Sequence, residues 1–120
     1  MNREIKFRQR NKNNGSFYYW GFVNGEWKQP IIQDNYHAPE ESDQYTGLLD
    51  INGKEIYEGD ICKRVCGMLY KVLWSEGMHG WRMYCLDKNY YYDVRDIGGH
   101  EWVVIGDIYS NPELLEVNND

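Results

Sequence analysis

"GKEIYEGDIC", Gly53 to Cys62, reads as a strand, a sharp corner and a second strand, with Asp60 placed directly after Gly59 at the corner. Immediately upstream, Asn52 and Gly53 separate "TGLLDI" from "KEIYE", and an Asn-Gly pair between apolar runs predicts a hairpin. The returning strand turns either Ile56 or Tyr57 inward, depending on register. Downstream, "DICKRV" alternates Ile61, Lys63 and Val65 with Cys62, Arg64 and Cys66, and "MLYKVLW" sets Tyr70, Val72 and Trp74 on one face. "SEGMHG" then turns the chain into "WRMYCL", and "YYYDV" and "EWVVIGDIY" complete a series of short strands divided by glycine-bearing turns.

Toward the amino terminus the same period continues. "REIKFRQR" places Ile5 and Phe7 on one face and Glu4, Lys6, Arg8 and Arg10 on the other, which predicts a half-buried strand that "NKNNG" ends. "SFYYWGFV" meets Asn24 and Gly25 and resumes as "EWKQPII"; Asn-Gly supplies the two positive-φ positions of a type I′ turn. From Gln33 to Tyr45 the chain is polar, contains Pro39 and lacks either periodicity, so it reads as a loop or boundary. "SNPELLE" has Asn111 at an N-cap position and Pro112 at the first helical position, predicting one short helical turn. The fold class is all-β: a hairpin-rich amino-terminal subdomain over 1–45 and a compact β-barrel of SH3-like size over 46–120.

Composition agrees. Five Trp, eleven Tyr and a single Ala, Ala38, favour strands over helices. A chain of 120 residues buries roughly two thirds of its unfolded surface, enough for a core without staples. No apolar run approaches the length of a membrane-spanning helix, and the amino terminus lacks the apolar core of a signal peptide, so a cytoplasmic protein without membrane contact is expected. The three cysteines, Cys62, Cys66 and Cys85, then read as reduced thiols. Charge is unevenly spread: Arg3, Lys6, Arg8, Arg10 and Lys12 against Glu4 give the first 12 residues +4, leaving −10 on the other 108 of a chain whose total is −6. A basic arm of this kind lies on an acidic body, on a neighbouring copy or on a polyanion.

Gly-Asp recurs, at Gly59-Asp60 and Gly106-Asp107. The glycine adopts a φ closed to other residues and the aspartate accepts backbone N–H groups, a turn role that Asn24-Gly25 and Asn52-Gly53 share. Neither Gly-Asp site offers the run of free N–H groups and following helix of a phosphate cradle. Three blocks, "REIKFR" (Arg3–Arg8) and the two that contain these Gly-Asp corners, "QYTGLLDINGKEIYEGDI" (Gln44–Ile61) and "VIGDIYSNPELLE" (Val104–Glu116), resemble the YopX family of bacteriophage and prophage proteins. Segments 9–43 and 62–103 carry little of that resemblance. It implies a mainly β protein of phage or prophage origin and carries over no enzymatic activity.

No chemistry stands out. Cys62, Cys66, His79, Cys85 and His100 lack the close pairs of a zinc site, Ser75 or Cys85 with His79 lacks a nucleophile elbow, and pairs such as Asp93 with Asp96 or Glu40 with Glu41 are commonplace among 19 acids. We therefore expect no enzyme and no metal or other cofactor, but an accessory protein that works by binding, as a homo-oligomer or as an adaptor for a phage or host protein. Self-association is expected through the amino-terminal strand, by addition to another copy's sheet edge. The alternative is a nucleic-acid-binding module that combines the basic arm with exposed aromatics and the cluster Lys63, Arg64, Lys71 and Arg82, and an uncharacterised enzyme ranks third.

Overall fold

The computed structural model describes residues 5–64, 67–77, 80–86, 91–93 and 102–116. The chain divides into two compact units, 1–47 and 48–120. All pairings with a described register are antiparallel, and among the described residues ten strands form two five-stranded sheets.

The first sheet has the order β3-β2-β1-β4-β5, formed by Lys6–Arg10 (β1), Phe17–Val23 (β2), Glu26–Lys28 (β3), Asp43–Leu49 (β4) and Glu55–Tyr57 (β5). The division into units falls inside β4. Asn24 and Gly25 have φ of 53° and 81°, the two left-handed positions of a type I′ turn, and Val23 faces Glu26 across it. Gly21, at φ 95°, is needed for closeness: a Cβ there would run into the Ile5 carbonyl. The basic stretch expected to be a half-buried strand is a strand, and it lies in the interior of the sheet. β1 pairs with β2 from Lys6 to Arg10 and with β4 through Phe7–Gln44 and Arg8–Asp43. It therefore has strand neighbours within the chain on both sides. β4 also begins at Asp43, inside the polar segment 33–45, because Asp43 stands opposite Arg8 and gains an ion pair there that hydropathy does not reveal. Within that segment Pro39–Glu41 forms a single 3-10 turn.

The second sheet, β10-β6-β7-β8-β9, comprises Trp102–Asp107 (β10), Asp60–Arg64 (β6), Leu69–Ser75 (β7), Gly80–Cys85 (β8) and Tyr91–Asp93 (β9). Its register stacks Cys62 beside Tyr70 and Tyr70 beside Cys85, and sets Val72 beside Met83. Those side chains share a face, and with Ile56 and Trp102 they form the core of the unit. Trp102 meets Tyr70 edge to face, with ring centroids 4.8 Å apart. Ile56 and Tyr57 are both buried, so the short β5 is covered on both faces. Among the described residues the strands form two antiparallel sheets, and no pairing of β9 with β10 that would close the second into the expected barrel is present. At β10, Ile51 donates its N–H to the Trp102 carbonyl and the Asp50 carboxylate accepts the N–H of Val104, so the Asp50 turn hydrogen-bonds along that strand. Pro112–Glu116 forms the expected short helical turn, as a 3-10 helix. Asn111 uses its carbonyl to accept the Leu114 N–H, while its side chain turns back to the N–H of Asp107.

Candidate functional site

The amino-terminal unit carries an open groove of about 460 Å³, lined by Lys12 and by the segment from Ile31 through Tyr36, His37 and Pro39 to Glu41. A segment so poor in periodicity needs a reason to hold one shape, and Gln9 supplies it. This fully buried side chain on β1 donates to the carbonyls of Ile31 (2.6 Å) and His37 (2.8 Å) and accepts the N–H of Ile31 (2.9 Å). Main-chain bonds continue the clamp, from the Lys12 N–H to Asn35 and from the His37 N–H to Arg10. Tyr18 closes on Tyr36 edge to face and donates its hydroxyl to the Gln29 carbonyl. At the far end Glu41 accepts the Ala38 N–H through one oxygen and lies 3.8 Å from His37 Nδ1 with the other. The rim is acidic, with Asp34, Glu40 and Glu41 against Lys12, and Ile32 stands 84% exposed beside it.

The basic residues read from the sequence are dispersed. Arg3 lies outside the described residues. Lys6 is buried with its ammonium 5.3 Å from the centre of the Tyr45 ring, and Arg8 is buried with its Nε 2.9 Å from Asp43 Oδ2 and its guanidinium over Phe17. Arg10 is half-buried, and of the described basic residues of the arm Lys12 is the exposed one, at the groove. Lys63 and Lys71 project from the face of the second sheet opposite its core; Arg64, one residue on, lies over the Trp102 ring. Arg82 is buried and donates to the Trp81 carbonyl. The cluster Lys63, Arg64, Lys71 and Arg82 therefore forms no single exposed basic face. Cys62 and Cys85 are buried; Cys66, His79, Asp96 and His100 lie outside the described residues.

The turn residues have clear geometry. Gly59 has φ 86°, and Asp60, buried beside it, accepts the Tyr57 N–H at 2.7 Å. Asp107 accepts the N–H groups of Tyr109 and Ser110. Gly106 has no positive φ; it is small because the Asn111 carboxamide packs where a Cβ would stand. Gly53 has φ 80°, yet Asn52 is not left-handed, so the turn differs from that at Asn24-Gly25. Its organiser is Asp50, which the sequence reading passed over although an Asp two residues before Asn-Gly is the signal of an Asx turn. Asp50 Oδ1 accepts the N–H groups of Asn52 and Lys54, and Oδ2 that of Val104. Burial pushes this carboxyl up, but the bonds from Val104, Lys54 and Asn52, with the Lys54 charge, outweigh it and hold the group below its ordinary range.

Among the described residues no helix is long and apolar enough to cross a membrane. No curated protein matches the chain. A family model described as "YopX protein" matches residues 6–116, a span that includes the Gln9 clamp, the groove and both Gly-Asp corners. The chain thus belongs to the YopX family, which is associated with phages and prophages.

Proposed function

We propose that this protein is a phage-type accessory protein that acts in the cytoplasm by binding, and that its groove takes a basic, partly apolar segment of a phage or host protein. One observation carries the reading: an apolar lining of Ile31, Tyr36, Ala38 and Pro39, with the exposed Ile32 at its rim, is bordered by three carboxylates and held in shape by a buried glutamine. Apolar contact supplies affinity, the acids select for Lys and Arg, and preorganisation by Gln9 removes the cost of ordering the segment on binding. The burial of Lys6, Arg8 and Arg82 weakens the nucleic-acid alternative, which needs those charges on a surface.

Arrays of short peptides of basic-apolar, acidic-apolar and neutral composition, with single-stranded DNA as a further probe, test the proposal. Basic-apolar peptides are expected to bind, and Ile32→Ser or the pair Glu40→Lys and Glu41→Lys to reduce that binding about tenfold or more. Peptide binding indifferent to those changes, or salt-sensitive binding of DNA alone, would overturn it.

A further inference from the structure

β3 is the outermost strand of its sheet, and its three residues, Glu26, Trp27 and Lys28, are all exposed. The type I′ turn fixes its hydrogen-bond phase. Val23 and Glu26 flank the two-residue turn as a hydrogen-bonded pair, so the next pair, Phe22 and Trp27, is non-bonded and the N–H and C=O of Trp27 point away from β2. The open edge thus presents one donor and one acceptor at Trp27. Its ring meets Phe22 edge to face with centroids 5.3 Å apart, and both rings remain about half exposed. Ile5, which accepts the Phe22 N–H and is itself exposed, extends the patch.

We infer that this edge pairs with the same edge of a second copy, antiparallel about a two-fold axis through Trp27. The pairing exchanges two backbone hydrogen bonds between Trp27 and its counterpart and sets each Glu26 opposite the second copy's Lys28. The order Glu-Trp-Lys is complementary to itself in this register. A slip of two residues in either direction instead opposes Lys28 to Lys28 or Glu26 to Glu26, which is unfavourable across a strand pair. Pro30, two residues on, offers no N–H and ends the edge. The two sheets become continuous, the exposed Trp27 rings become neighbours on one face, and the charges that protect the edge against indiscriminate pairing become the ones that select its partner. A three-residue strand gives a weak dimer, with Kd in the micromolar range or above. This inference uses none of the groove residues.

Sedimentation of the full chain at about 100 µM and below tests it, in a range suited to weak association. The wild type is expected to dimerise, and E26K and K28E, each of which opposes like charges twice per dimer, to weaken self-association about tenfold or more. An equimolar mixture of E26K with K28E is expected to restore a mixed dimer, as is the double variant E26K/K28E with itself, which also shows that the single variants are folded. A monomeric wild type, a dimer unaffected by the single changes, or a mixture that stays monomeric would overturn the inference.

Discussion

Asp60 shows what one side chain does at a corner. Its carboxylate accepts the Tyr57 N–H while the preceding Gly59, at φ 86°, passes its own N–H to the Val72 carbonyl and accepts that of Ile108. The corner therefore ties β5 and β6 to β7 and to the segment that follows β10. Asp60→Ala leaves a buried donor without its acceptor and is expected to lower stability by about 1 to 2 kcal/mol in urea unfolding, with peptide binding by the groove unchanged. Full stability in this variant would remove the turn role. Gly59-Asp60 was readable from sequence because the dipeptide itself sets the geometry. Asp50 was harder, since its third acceptor bond goes to Val104, 54 residues away.

At the scale of elements, β1 reverses the expectation drawn from its alternation. The pattern of "REIKFRQR" correctly marks a strand, but the face bearing Lys6 and Arg8 is as covered as the other. Asp43 on β4 makes this tolerable by standing in register with Arg8, and Phe17 stacks on the guanidinium. Arg8→Met or Asp43→Leu alone strands a buried charge and is expected to cost about 3 kcal/mol, whereas the double change removes both charges and costs less than the sum of the two by over about 1 kcal/mol. A urea-unfolding cycle on the four proteins measures this coupling, and strict additivity would show that the pair contributes no mutual stabilisation. The Gln9 clamp belongs to the same lesson: a glutamine on a strand gives no local sign that it will hold a loop more than 20 residues away.

For the whole molecule, pH is the most direct probe, because the Asp50 carboxyl links the β4–β5 turn to β10. Unfolded, the group titrates near 3.8, and folded it titrates lower. Its contribution to stability is therefore complete above the ordinary carboxylate range and is lost as pH falls through the folded value. Asp50→Asn is expected to be less stable than wild type near neutral pH, by a gap that narrows below about pH 4 in thermal unfolding followed by circular dichroism; a gap independent of pH would mean the carboxylate charge is irrelevant. The sequence by itself determined the all-β class, the hairpin at Asn24-Gly25, most of the strand spans and the family resemblance, because alternation, turn chemistry and family motifs are local properties of the chain. The tertiary structure alone decided that β1 is interior, that its charges are buried, that the Asp50 turn hydrogen-bonds along β10, and that a shapeless polar segment is held as a groove. Each of these depends on partners far apart in sequence, Arg8 with Asp43, Asp50 with Val104 and Gln9 with Ile31, whose pairing no local pattern encodes.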